Sequence, residues 1–143
     1  MTEQWREIST SWKGGTAFLG TNQDGAQVQI GKLENQAGVG PMEAVLVALA
    51  GCSGDDVLAI LKKKRQEVTE FKINVRGKRA ENPPKVYTEI HVEYILHGND
   101  LKEKDVEQAI RLSHDKYCSV GVMLGKTAKI STSFRLLASN EAI

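Results

Sequence analysis

The chain has 143 residues, of which 41% are hydrophobic and 26% are charged, and this composition is typical of a single globular domain over residues 1–143. Its formal net charge of +1 gives no electrostatic reason to expect nucleic acid or a membrane surface as a partner. The longest apolar run, residues 44–50, is too short to span a bilayer, and the first ten residues lack the apolar segment of a signal peptide. We therefore expect a cytoplasmic protein.

Three strand-like segments occupy the first part of the chain: QWREIST (4–10), TAFLGT (16–21) and GAQVQIG (25–31). The pair Gly14-Gly15 and the sequence NQDG at 22–25 are turn signals between them. The pattern predicts a meander of three short strands.

A long helix is predicted from about Pro41 to about Arg65, because Pro41 suits a first helical turn and cations occupy the last turn. Gly51 and Gly54 each weaken a helix by about 1 kcal/mol relative to alanine. They also leave space beside Cys52, which indicates close approach of another helix or of a substrate.

The remaining segments alternate between strand and helix patterns. Strands are predicted over 70–78 and 85–96, a helix over KEKDVEQAIRLSHDKYC (102–118), and a last strand over 128–137. The sequence SVGVML (119–124) extends that helix or forms a short further one. The order βββ-α-ββ-α-β predicts an α+β fold with a largely antiparallel sheet.

The two cysteines, Cys52 and Cys118, lie 66 positions apart, which excludes a CxxC motif. A buried free cysteine is usually inert. Two thiols are nevertheless enough for a peroxide cycle, in which a sulfenic acid on one condenses with the other to form a disulfide. Asp56 lies one turn after Cys52 on the same helix face, and its charge would raise a thiol pKa unless a cation offsets it. Several cations lie on or near predicted strands: Arg6, Lys13, Arg76 and Arg79.

The segments GPMEAVLVALAGCSGDDVLAIL (40–61) and SHDKYCSVGVML (113–124) together resemble the OsmC/Ohr family, osmotically inducible protein C and organic hydroperoxide resistance protein. The resemblance covers roughly residues 10–137. It implies an intertwined homodimer in which sheets wrap around paired central helices. It also implies thiol-dependent reduction of organic hydroperoxides and hydrogen peroxide, with Cys52 as the peroxidatic thiol and Cys118 as the resolving thiol. An external dithiol would serve as reductant, with no metal and no other cofactor.

The chain departs from the pattern of the family's peroxidases, which pair the reactive cysteine with an arginine from an early strand. The corresponding stretch, STSWKGGTAFLG (9–20), offers only Lys13 as a cation. A lysine lacks the planar fork that holds a carboxylate and a peroxide together. Glu43 precedes Cys52 by nine residues, about 180° around a helix. Glu43 would therefore serve the other subunit's site or simply stabilise the helix N-terminus.

Two other functions are compatible with these residues. The first is a non-catalytic small-ligand binding protein of the same fold, which the missing arginine favours. The second is a metal-dependent hydrolase or metal store using Cys52, Cys118 and His114. His114 is predicted to share a helix face with Cys118, because four residues separate them.

Overall fold

A computed structural model describes residues 4–138 and 140–143. It divides into two compact units, Met1–Val45 and Leu46–Ile143, and contains two three-stranded sheets. The element order confirms the predicted α+β class and βββ-α-ββ-α-β sequence, except that the second helical region is divided into three parts.

The first unit contains the predicted meander, an antiparallel sheet in the order β1-β2-β3. Its strands are β1 (Ile8–Gly14), β2 (Ala17–Asn22) and β3 (Gln27–Ile30). The first strand begins later than the predicted segment at residue 4, because its pairing with β2 starts at Ile8, opposite Asn22, and continues as far as Gly14. Gly14 and Gly15 have φ values of 106° and 53°, a conformation that favours glycine in the tight turn.

One face of this first sheet carries large apolar side chains. Trp12 lies opposite Phe18, and Val28 lies opposite Gly20, so alternation places these side chains on a common face. They are exposed, together with Ile8 at the start of β1. Soluble monomers rarely expose a large contiguous apolar patch, so this face is a candidate contact surface for another chain.

The second unit is built on a sheet in the order β4-β5-β6. Strand β4 (Glu67–Arg79) pairs antiparallel with β5 (Tyr87–Asn99), and β6 (Lys129–Leu136) pairs parallel with β5. The largely antiparallel arrangement is thus confirmed, with one parallel pair that the helical crossover between β5 and β6 makes possible. The central strand β5 buries Val92, Tyr94 and Leu96 at alternate positions.

The long helix α1 (Pro41–Lys63) buries a stripe of residues spaced four apart: Leu49, Ser53, Val57 and Leu61. The two glycines of α1 differ in their surroundings. A Cβ atom at Gly54 would lie 2.8 Å from the Ile73 side chain of β4, whereas one at Gly51 would meet none of the described residues within 4 Å. A close approach therefore occurs at Gly54, but its partner is a strand and not the predicted helix or substrate.

A second side of α1, next to the buried stripe, carries exposed apolar side chains. Val47 is 64% exposed, and Leu58 is also exposed. By length and composition α1 could cross a membrane, yet only 28% of its most apolar stretch is buried. The apolar part of α1 is therefore longer than the run 44–50 considered in the sequence analysis. Small residues and a second apolar run extend it toward the C-terminal end of the helix. A core helix of a soluble protein can meet the same length and composition criterion, but such a helix is mostly buried.

The second helical region is not the continuous helix predicted over 102–118. It consists of α2 (Glu103–Leu112), a π-helical turn (Ser113–Tyr117) and α3 (Ser119–Leu124). The amide of Cys118 donates to the Ser113 carbonyl at 2.9 Å, which closes the wide turn. Periodicity did not reveal this, because one residue inserted in a helix leaves the apolar pattern on each side unchanged. π-Helical turns of this kind often occur at functional sites.

Candidate functional site

The structure brings the sulfur atoms of Cys52 and Cys118 close together. Both belong to a group that includes a carboxylate oxygen of Asp56, and the three ligand atoms lie within 4.8 Å of one another. Cys52 and Asp56 are one turn apart on α1, and Cys118 immediately precedes α3. The predicted position of Asp56 on the same face as Cys52 is therefore confirmed.

The two thiols have different environments. Cys118 is buried, whereas Cys52 is only partly buried. The Cys118 sulfur also caps α3, because it accepts a hydrogen bond from the Gly121 amide at 3.3 Å. A reagent entering from solvent therefore has easier access to Cys52 than to Cys118.

Burial raises the pKa of the Cys118 thiol to about 11, from an ordinary value of 9.0. The hydrogen bond from Gly121 acts in the opposite direction, since it favours the thiolate. The Cys52 thiol and the negative charge of Asp56 are smaller contributions to the same increase in the pKa of Cys118. Cys118 is consequently a neutral thiol near pH 7.

A chain of hydroxyl groups supports the carboxylate of the site. The Ser113 hydroxyl donates to Asp56 Oδ2 at 3.1 Å and lies 2.9 Å from the Ser53 hydroxyl. Ser53 in turn hydrogen bonds to the Tyr94 hydroxyl on β5. The chain joins α1, the π-helical turn and the central strand through groups that are buried or partly buried. Such networks fix the side chains that they include.

Tyr94 is the end of this chain of hydroxyls. Burial raises the pKa of Tyr94, and the nearby Cys118 and Asp56 act in the same direction, while the hydrogen bond to Ser53 opposes them. Tyr94 therefore remains a neutral phenol over the physiological pH range and keeps its proton available as a hydrogen-bond donor.

A small cavity lies against Cys118, and its lining is largely apolar. The lining residues are Leu49, Ser53, Val92, Tyr94, His114, Cys118, Gly121, Ile130 and Thr132. This cavity continues the apolar stripe of α1 toward β5 and β6.

His114 and Cys118 do not lie on one continuous helix, although both line the same small cavity. The backbone between them forms the π-helical turn, and Cys118 itself is extended, with φ −75° and ψ 101°. No hydrogen bond joins the two side chains within the part of the chain that the structure describes. His114 lines the small cavity but does not belong to the three-atom group of Cys52, Asp56 and Cys118.

The other two residues predicted to support the site lie in the first unit. Glu43 Oε1 accepts a hydrogen bond from the Gly40 amide at 2.8 Å, which is the predicted role of a first-turn carboxylate at the helix N-terminus. Lys13 is exposed on β1. A role at the thiols remains a prediction for both residues.

Sequence reasoning missed the hydroxyl chain of Ser53, Tyr94 and Ser113. A signal was present: Ser53 and Ser113 occupy core-facing positions of apolar helix patterns, and Tyr94 lies on the buried face of β5. Buried hydroxyls require partners, so three of them on neighbouring elements predict mutual hydrogen bonds once the topology is known.

Comparison with known proteins identifies related sequences and folds. A family model described as OsmC-like protein matches residues 33–133. Protein YhfA of Escherichia coli (strain K12) is 38% identical over 133 residues, which cover 93% of this chain and 99% of YhfA.

Solved structures share the fold over nearly the whole chain. A hypothetical protein from Aquifex aeolicus VF5 is 38% identical, with a TM-score of 0.84, and the match covers 94% of this chain and 98% of the other. The organic hydroperoxide resistance protein OhrB of Bacillus subtilis is 17% identical, with a TM-score of 0.62 and coverage of 92% and 98%. The likeness to OhrB therefore concerns the fold alone.

Proposed function

The chain belongs to the OsmC/Ohr family, and from this premise we propose that it is a thiol-dependent peroxidase of oxidative stress defence. Its substrates are organic hydroperoxides and hydrogen peroxide. We propose that residues 1–143 act as one OsmC-like domain, since the matched region includes residues of both compact units.

The observation that carries the proposal is the short distance between the two sulfurs. Side chains far apart in sequence have been brought to within 4.8 Å, close enough for a disulfide to form after modest side-chain rotation. The partly buried position of Cys52 supports its role as the thiol that meets peroxide, and the buried position of Cys118 supports its role as the resolving thiol.

The reaction has three steps. The Cys52 thiolate attacks the O–O bond, so the sulfur is oxidised to a sulfenic acid and the peroxide is reduced to an alcohol, or to water from hydrogen peroxide. The Cys118 sulfur then displaces the sulfenic hydroxyl, which forms the disulfide and releases water. An external dithiol exchanges with this disulfide, restores both thiols and leaves as its own disulfide.

Attack on a peroxide uses a thiolate, and a positive group beside a cysteine favours that form. Within the described residues none of the ion pairs includes Asp56. We propose Lys13 as the activating cation and Glu43 as its partner, with a second copy of the chain completing the site.

The proposed assembly is an intertwined homodimer. Proteins of this family are typically dimeric, and the uncovered apolar side of α1 and the apolar face of the first sheet supply suitable contact surfaces. Burial of α1 between two subunits would account for its apolar length without a membrane, in agreement with the expected cytoplasmic location.

The test is mass spectrometry of the full chain after treatment with one equivalent of cumene hydroperoxide. The proposal expects a mass loss of two hydrogens and one peptide pair linked through Cys52 and Cys118. Cys52→Ser should abolish turnover with a dithiol reductant. Two free thiols, or independent overoxidation of each, would contradict the cycle.

The alternative function is a non-catalytic small-ligand binding protein of the same fold. It is favoured by the absence of arginine from residues 9–20. A steady-state assay with several peroxides and a dithiol separates the two, since a binding protein shows no turnover at any peroxide concentration.

A further inference from the structure

We propose that Cys52, Cys118 and Asp56 form a binding site for a soft divalent cation, with Zn²⁺ as the best chemical match. The three donor atoms already lie within 4.8 Å of one another. Two sulfurs and one carboxylate oxygen are a donor set that zinc accepts, leaving a fourth position for water.

The geometry requires little rearrangement. Zinc binds sulfur at about 2.3 Å and carboxylate oxygen at about 2.0–2.2 Å, so ligand atoms around a tetrahedral ion lie about 3.5–3.8 Å apart. Cys52 and Asp56 are four residues apart on α1, a spacing that directs two ligands to one ion from a single helix face. Cys118 completes the set from a separate element.

The surroundings hold the carboxylate in place. Ser113 donates its hydroxyl proton to Asp56 Oδ2, which leaves the other carboxylate oxygen for the ion. Ser113 is itself fixed by Ser53, which hydrogen bonds to Tyr94. Hydrogen bonds of this kind orient metal ligands and strengthen binding.

Binding is an acid–base exchange without redox change. Two S–H bonds break, two Zn–S bonds and one Zn–O bond form, and two protons pass to the buffer. The half-buried carboxylate forms no ion pair with any residue that the structure describes, so no cation competes with the metal for it. Because two protons leave as one divalent ion enters, the net charge of the site stays unchanged.

This site differs from the metal site expected from sequence, in which His114 was a ligand; Asp56 takes that place. Peroxide and metal compete, because both use the Cys52 sulfur. The competition rests on the proposed function, whereas the binding itself does not.

The test uses the full chain, reduced and treated with chelator under anaerobic conditions, with Co²⁺ as a spectroscopic probe and Zn²⁺ as competitor. We expect one ion per chain, thiolate-to-cobalt charge transfer and visible bands of tetrahedral cobalt. Calorimetry in two buffers should show release of two protons per Zn²⁺, a measurement that needs no substitution. Absence of the charge-transfer band, or binding without proton release, would overturn the assignment.

Substitutions identify the ligands. Cys52→Ser and Cys118→Ser should each raise the Co²⁺ dissociation constant at least about 10-fold, and Asp56→Asn should raise it about 10-fold or more. Asp55→Asn is the matched control, because Asp55 is adjacent and exposed, and it should leave binding unchanged. Equal affinity of Asp56→Asn and Asp55→Asn would remove Asp56 from the site and overturn the proposal.

Peroxidase turnover measured in chelator separates the two hypotheses. If the protein turns over peroxide but shows no thiolate–cobalt band, only the metal site is wrong. If it binds Co²⁺ through both thiols without turnover, only the peroxidase proposal is wrong. Where both hold, added Zn²⁺ should suppress turnover and excess chelator should restore it.

Discussion

The Ser53 hydroxyl lies 2.9 Å from the Ser113 hydroxyl, although the two residues are 60 positions apart in the chain. This contact connects α1 to the π-helical turn. Because α1 carries Cys52 and the π-helical turn leads into Cys118, it also links the two segments that position the thiols. The two serines therefore contribute both to stability and to the relative position of the two thiols.

Ser53→Ala should lower the free energy of unfolding by about 1–3 kcal/mol, because it removes the hydrogen-bond partner of the buried Tyr94 hydroxyl and one of the two partners of the Ser113 hydroxyl. Urea denaturation measures the change. Ser9→Ala is the matched control, since Ser9 is exposed on β1, and its effect should stay within about 0.5 kcal/mol. Equal stability of the two variants would show that the hydroxyl chain contributes nothing.

Cys118→Ser should stop the proposed cycle after its first step. The Cys52 sulfenic acid then has no thiol partner and should be trapped by dimedone, which mass spectrometry detects as an adduct on the peptide containing Cys52. The wild-type chain, treated in the same way, should give the disulfide instead. An adduct on Cys118 in the Cys52→Ser variant, and none on Cys52, would reverse the assigned roles.

Disulfide formation should accelerate as pH rises from 7 toward 10. Because the pKa of Cys118 is raised to about 11, its thiolate fraction increases about 10-fold for each pH unit below that value. Rapid acid quenching after addition of peroxide, followed by mass spectrometry, gives the rate of the step from sulfenic acid to disulfide. A rate that levels off near pH 8 would show that the pKa of the Cys118 thiol is not raised.

Asp56→Asn should move this pH profile to lower pH, because removal of a neighbouring negative charge lowers the pKa of the Cys118 thiol. The same rapid-quench experiment measures the shift. Asp55→Asn provides the control with the same change in net charge. If both variants shift the profile equally, the effect arises from net charge and not from proximity.

Val47→Lys should dissociate the proposed dimer. Val47 is 64% exposed on the uncovered side of α1, and placing a charge in an apolar interface costs several kcal/mol, or at least about 100-fold in dissociation constant. Sedimentation velocity across a concentration series measures the change. Val86→Lys, at an exposed valine outside α1, should leave the assembly intact. An unchanged dimer in Val47→Lys would exclude this side of α1 as the contact surface.

Much of the fold could be predicted from sequence because its signals are local. Alternation in β5 and the four-residue stripe of α1 identify those elements directly, and the two cysteine segments indicated the family. The position of Asp56 relative to Cys52 also followed from helix geometry alone.

The features that could not be predicted from sequence depend on contacts between distant residues or on a local irregularity of the backbone. The hydrogen bond between Ser53 and Tyr94 becomes evident only after α1 is packed on β5. The end of the helix before Cys118 was not predicted, because residues 113–118 were assumed to continue an ordinary helix, whereas the structure has a π-helical turn followed by an extended residue.

In the wide turn at Ser113–Tyr117, the number of residues matters more for the position of Cys118 than the identity of their side chains. Its side chains after Ser113 are partly or fully exposed and can vary. Deleting one residue, however, would let the turn close as an ordinary helix and rotate everything downstream by about 100°. The Cys118 thiol would then point away from α1 and Cys52, and no substitution within Ser113–Tyr117 could restore its position.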